Sequence, residues 1–125
     1  MARDVVRTDA APSNPNYAQA TKAAGLVFVS GQGPFDPVSG AIVGTTIEEQ
    51  TRQCLTNVGA ILAAAGSSLE DVVSVTFILA DPADFAGMNE EWRRWFPSDP
   101  PARQGAKLPL AMPGMRISIA AIARG

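Results

Sequence analysis

A chain of 125 residues, 46% hydrophobic and 18% charged, reads as one domain over 1–125, large enough to bury a core. Its net charge of −2 offers no basic field to a phosphate backbone, which argues against nucleic acid as a partner. It has no histidine and one cysteine, so imidazole metal sites, Ser-His-Asp triads, Cys/His pairs and internal disulfides are excluded; the chemistry left is that of Arg, carboxylates, hydroxyls and backbone, with no metal or cofactor expected.

Residues 3–8 form an edge strand, a turn-rich stretch covers 11–16, and the chain resumes at Tyr17. The apolar run 26–30, bounded by Gly25 and Gly31, predicts a strand covered on both faces. Asp36-Pro37-Val38-Ser39-Gly40 is a turn. Thr46 and Glu49 make a capping box that opens a first helix. Ile47, Cys54, Leu55, Val58, Ile61, Leu62 and Ala65 form its apolar stripe, Cys54 being a small core side chain, and Gly66 ends it. The β-branched stretch 71–79 is a strand. Asp81-Pro82 starts a second helix with Pro in its first turn; Phe85, Met88, Trp92 and Phe96 share its apolar face, while Glu90, Glu91, Arg93 and Arg94 point elsewhere. Strands at 103–108 and 115–123, joined across 109–114, complete the order ββ-α-β-α-ββ. That order predicts an α+β sandwich, two helices on one face of a mixed sheet. The low charge fraction and the bare second face of the sheet predict self-association. No apolar stretch reaches membrane-spanning length and no apolar leader follows a charged start, so no membrane partner and a cytoplasmic setting are expected.

Arg103 stands out among the candidate site residues. It follows the helix end at Phe96 and the rigid turn Pro97-Ser98-Asp99-Pro100-Pro101, which delivers one planar guanidinium to the mouth of a strand, a means of fixing a fork for a small carboxylate. The alternative is a surface Arg paired with a nearby Asp or Glu.

Several segments together resemble the YjgF/RidA family of reactive-intermediate deaminases: 27–32 (Val-Phe-Val-Ser-Gly-Gln), 49–53 (Glu-Gln-Thr-Arg-Gln), 64–69 (Ala-Ala-Gly-Ser-Ser-Leu), Asp84-Phe85-Ala86 with Asn89, and Pro101-Ala102-Arg103. The resemblance runs from about Tyr17 to Ala123. It implies a chorismate-mutase-like fold, a homotrimer whose sheets face a central barrel, and three clefts between subunits. In competent members each cleft hydrolyses a 2-imino acid, formed from an enamine such as 2-aminoacrylate, to a 2-keto acid and ammonia. The resemblance assigns Arg103 to the substrate carboxylate and lets the Gly31 amide, beside Ser30 at a strand end, reach the same group. It sets Tyr17 at the cleft edge, Asn89 among groups that orient the cleft, and the Gly105 carbonyl at the imine nitrogen or the water. Read without it, Ser30-Gly31 is a strand terminator, Tyr17 a rim aromatic and Asn89 a surface amide.

The final strand departs from the family. Deaminating members carry a glutamate in a Glu-Ile-Glu-Ala-Ile-Ala type of ending, and here the matching position is Ser118, with no acidic neighbour in the strand. A hydroxyl positions water but is no base near neutral pH, and a positioned general base contributes ~10²–10⁴-fold. Two functions follow: a deaminase-like enzyme acting on small imino or enamine acids, weakened or altered at Ser118, or a non-catalytic trimer that binds a small 2-keto acid at Arg103. Ribonuclease activity is discounted, there being no His, little positive field and no stripe of exposed aromatics interleaved with Lys or Arg. Eight Arg against two Lys, with abundant Ala, Gly and Pro, is the composition of a GC-rich, bacterial genome.

Overall fold

Six strands and two helices account for most of the chain, and the computed structural model describes residues 3–110 and 112–125. β1 (Asp4–Val6), β2 (Ala20–Ala23) and β3 (Leu26–Gln32) form an antiparallel meander. β2 corrects the expected five-strand order. It is short and Ala-rich, with no alternation to announce it, and its signal is the turn: Ala24 and Gly25 both take positive φ, 54° and 77°, the two-residue geometry that matches strand twist in a hairpin. β1 is also shorter than 3–8, because the Thr8 N–H leaves the ladder to donate to Gln19 Oε1 at 2.8 Å.

α1 (Ile47–Ala64) is built as its sequence dictates. The Glu49 N–H donates to Thr46 Oγ1 and the Thr46 N–H to Glu49 Oε1, each at 3.1 Å, so two otherwise orphan donors are satisfied reciprocally. Gly66, at φ 80°, follows the helix end. Cys54 is fully buried in the stripe, and burial pushes its thiol pKa up, as for an inert core side chain. A 3₁₀ turn at Leu69–Asp71 leads into β4 (Val72–Leu79). Asp81 Oδ1 then accepts from the Ala83 N–H at 2.9 Å, but the cap serves a 3₁₀ turn, Pro82–Asp84, and α2 (Phe85–Trp95) begins after it. β5 (Ala102–Lys107) and β6 (Ile117–Arg124) finish the chain.

The strand order is β1-β2-β3-β6-β4-β5, antiparallel except for the parallel pair β4 and β5, so the sheet is mixed as expected. α1 lies on β3 and β6, and α2 packs against α1. The helix-covered face buries Val27, Val29, Val75, Phe77, Leu79, Ile117 and Ile119. The opposite face is bare in the single chain, which corrects the expectation that 26–30 is covered on both sides. Phe28 is 40% exposed there, in company with Thr76, Ala120 and Ile122. The apolar run signals a need for cover; nothing in one chain supplies it.

Glu91 also departs from its expected place. Its place among charged neighbours suggested an outward face, yet it is only 2% exposed. Arg52 of α1 donates to both of its oxygens, at 3.2 and 3.3 Å, and Trp95 Nε1 donates at 2.8 Å, so α1 and α2 are joined through one carboxylate. Burial alone would raise its pKa, but the hydrogen bonds from Arg52 and Trp95 outweigh it and hold the pKa below the usual value. A carboxyl with a depressed folded pKa contributes stability above its unfolded pKa and loses it as pH falls through the folded value. Glu91→Gln is therefore expected to cost about 1–2 kcal/mol near neutral pH, at the low end for charged hydrogen bonds because Arg52 is half in solvent. Denaturant titrations should show the deficit shrinking below about pH 4, where wild type loses the same charge.

Candidate functional site

The parallel register of β4 and β5 pairs Val75 with Arg103 and Phe77 with Gly105, which places Arg103 on the helix-covered face of an edge strand. Three rings surround its guanidinium, with Cζ 5.1 Å from the centroid of Phe77, 5.7 Å from Phe85 and 4.9 Å from Trp92. Arg103 Nη1 donates to Asn89 Oδ1 at 2.8 Å. Among the described residues no carboxylate pairs with Arg103, in contrast to Arg52, Arg94 and Arg116. The reading of Arg103 as a surface ion-pair partner therefore has no support in the geometry. Partial burial lowers its pKa, yet a guanidinium stays charged in any protein environment. What results is an oriented cation without a counter-charge, its remaining donors available to a planar anion.

Gly105 matters for the side chain it lacks as well as for its carbonyl. A Cβ there would fall 2.1–2.4 Å from atoms of the Phe77 ring. Glycine thus lets Phe77 lie across β5, stack on Phe85 with centroids 6.1 Å apart, and support Arg103 from below. Beyond the ring runs a groove of about 340 Å³ lined by Phe77, Leu79, Pro82, Phe85 and Lys107. Gly105→Ala is expected to destabilise the fold by about 1–3 kcal/mol through overpacking and to weaken keto-acid binding as well, since the displaced ring supports Arg103. Denaturation and calorimetry on the same variant check both.

A second group of site residues lies elsewhere. Tyr17, Gly31 and Ser118 line a cavity of about 370 Å³ together with Phe35, Met112 and Met115. Tyr17 is 54% exposed. A Cβ on Gly31 would sit 3.1 Å from Ser118 Oγ, so the glycine leaves room for the residue that faces it. Ser30 is placed differently from its neighbour. Its Oγ donates to the Ala18 carbonyl at 2.7 Å and its N–H to the Gln19 carbonyl at 2.9 Å, which fastens the Tyr17 segment to β3.

Three buried amides hold the loops around this cavity, and sequence reasoning missed all three. Gln19 donates to the Ala11 and Pro12 carbonyls, at 3.0 and 2.9 Å. Asn57 donates to those of Gly33 and Phe35, at 3.2 and 3.0 Å. Gln50 donates to the Gly114 carbonyl at 2.9 Å and accepts from the Arg116 N–H at 2.8 Å, gripping the turn just before Ser118. For Gln50 and Asn57 the signal was an amide at an apolar helix position, the two being seven residues apart on the buried face of α1, whereas Gln19, in the segment before β2, carries no such signal.

One chain does not unite the two groups. Ser118 pairs with Ile78 in the register and shares the bare face, whereas Arg103 shares the helix-covered face with Val75 and Phe77. Arg103, Asn89 and Gly105 form one group of candidate residues; Tyr17, Gly31 and Ser118 form another. Among the described residues no group of three His, Cys, Asp or Glu is placed to hold a metal ion, and no helix is long and apolar enough to cross a membrane.

The family model described as endoribonuclease L-PSP matches residues 8–124. Reactive Intermediate Deaminase A, chloroplastic, of Arabidopsis thaliana is 45% identical over 112 residues, 86% of this chain and 60% of that protein. The 2-iminobutanoate/2-iminopropanoate deaminase of Capra hircus is 37% identical over 124 residues, 98% of this chain and 90% of that one. The crystal structure of E. coli TdcF with bound serine superposes with a TM-score of 0.90 at 32% identity, covering 98% of each chain. A family match along almost the whole chain, together with relatives this similar over most of it, establishes that the chain belongs to the YjgF/RidA family, the family of the endoribonuclease L-PSP model.

Proposed function

We propose that the protein is a homotrimeric, cytoplasmic deaminase of small 2-imino acids, its active sites formed where the Arg103 half-site of one subunit meets the Tyr17/Gly31/Ser118 half-site of the next. The observation that carries this reading is the aromatic-walled guanidinium of Arg103, held by Asn89 and lacking any acidic partner among the described residues. Relatives named as imine deaminases, and a structural neighbour with serine bound, fit a ligand bearing a small carboxylate. The bare face around Phe28 fits the subunit contact.

In this reading Arg103 takes the substrate carboxylate bidentately, with the Gly31 amide of the adjoining subunit as a further donor. The Gly105 carbonyl accepts a hydrogen bond from the protonated imine nitrogen, favouring the electrophilic iminium form. Water held by Ser118 adds to the C=N carbon and its proton passes through solvent to the nitrogen, giving a carbinolamine with an ammonium group; the C–N bond then breaks as the hydroxyl proton is lost to solvent, so that ammonia leaves and the keto acid remains. Ser118 orients that water without removing its proton, so the reaction runs on positioning and electrostatics.

That the described residues lining the Ser118 cavity include no acidic side chain favours one second reading, a trimer that binds a 2-keto acid without turnover. An assay of keto-acid release from freshly generated 2-aminoacrylate separates the two. The enzyme accelerates release above the spontaneous rate in proportion to its concentration, and a binding module leaves that rate unchanged. Nuclease chemistry, which the family description suggests, suits this chain poorly, with no histidine and a net charge of −2. Sedimentation at micromolar concentration is expected to give a trimer; a stable monomer would remove the shared site.

A further inference from the structure

The groove beyond Phe77 carries a second cation, Lys107, in its lining, and shares Phe77 and Phe85 with the surroundings of Arg103. β5 carries Arg103, Gly105 and Lys107 at alternate positions, paired in register with Val75, Phe77 and Leu79, so all three face the same side of the sheet. Four residues of strand separate the two cationic positions, about 13 Å between Cα atoms at roughly 3.3 Å per residue. The ring of Phe77 lies over Gly105 between them, and Leu79, Pro82 and Phe85 supply the walls. Among the described residues no acidic side chain lines this groove. Lys107 is exposed and, among the described residues, takes part in no ion pair. A chain of net charge −2 thus carries here an apolar trough with Lys107 in its lining and Arg103 against the same two rings, and among the described residues no carboxylate pairs with either.

We infer that Lys107 is a specificity-determining residue for substrates with a second carboxylate. The 2-imino acid anchored at Arg103 lays its carbon chain along Phe77 and Phe85 and presents a terminal carboxylate to the Lys107 ammonium. The two cations suit the two ends. Arg103 is a rigid planar fork that fixes the reacting end, and Lys107 is a flexible point charge that follows diacids of different length. The apolar walls favour a methylene chain between the acids. The inference rests on Arg103 being the carboxylate anchor of the proposed deaminase site.

The test is calorimetric titration of the intact protein at low salt with two keto acids of equal chain length, 2-oxopentanoate and 2-oxoglutarate, which differ by a terminal methyl against a carboxylate. Wild type is expected to bind 2-oxoglutarate about five- to tenfold more tightly, as befits a charge-assisted contact near solvent. In Lys107→Met the ratio of the two affinities falls to about one, and in Lys107→Glu it inverts. Because the readout is a ratio within one protein, a general loss of folded material does not imitate it. Equal binding of the two acids by wild type, or a preference that survives in Lys107→Met, overturns the inference while leaving the Arg103 anchor in place. If wild type binds neither acid, the anchor falls and the diacid subsite with it.

Discussion

Ser118→Glu is expected to raise turnover of 2-iminobutanoate by up to ~10²–10⁴-fold, the contribution of a positioned general base. The cavity beside Ser118 has a volume of about 370 Å³, and Gly31 opposite offers no side chain to block a longer residue. Gln50, through Gly114 and Arg116, fixes the approach to this strand position, so the new carboxylate enters a site whose backbone is already held. Two flexible side chains, Met112 and Met115, line the same cavity and can move aside. Ser118→Ala is expected to lower the native activity, because the water loses its remaining ligand. Steady-state kinetics on folded trimers of both variants checks this. If Ser118→Glu gains nothing while Ser118→Ala abolishes activity on some other substrate, the cleft serves different chemistry and the water-positioning role assigned to Ser118 in imine hydrolysis is wrong.

Arg103→Lys is expected to weaken keto-acid binding about 10- to 100-fold although it keeps the charge, since a charge-assisted hydrogen bond contributes about 1.5–3 kcal/mol and each 1.4 kcal/mol is tenfold. The geometry explains why charge is not enough. Phe77, Phe85 and Trp92 all lie within 6 Å of the guanidinium carbon, and Asn89 Oδ1 sets its rotation. An ammonium on a flexible stem neither fills that aromatic box nor presents two parallel donors. Calorimetry with 2-oxobutanoate measures the loss, and equal affinity in the variant would show that Arg103 is not the clamp.

Local signals in the sequence were read correctly where short-range physics decides them. The capping box at Thr46, the stop at Gly66, the stripe of α1 and the β-branched run of β4 each follow from neighbours within a few residues. β2 escaped because four residues of Ala, Thr and Lys carry no periodicity, and only the Ala24-Gly25 turn marks it. Glu91 escaped because a partner on another helix, Arg52, decides its burial, and helical spacing within α2 says nothing of α1. Arg103 was legible from the Pro-rich turn before it, but its surroundings were not. Phe77, Phe85 and Trp92 come from β4 and α2, and each reads singly as core. The division of the candidate residues into two half-sites was likewise invisible, since it depends on strand order and register, which place Ser118 and Arg103 on opposite faces of one sheet.

We propose that those two half-sites meet across a subunit contact to form one carboxylate-anchored site. A crystal structure of the protein soaked with 2-oxobutanoate tests it most directly. The expected result is a trimer in which the ligand carboxylate accepts two hydrogen bonds from Arg103, the keto oxygen lies near the Gly105 backbone, and Ser118 of the partner subunit faces the carbonyl carbon. A ligand bound away from Arg103, or one enclosed by the residues of a single chain, would contradict it.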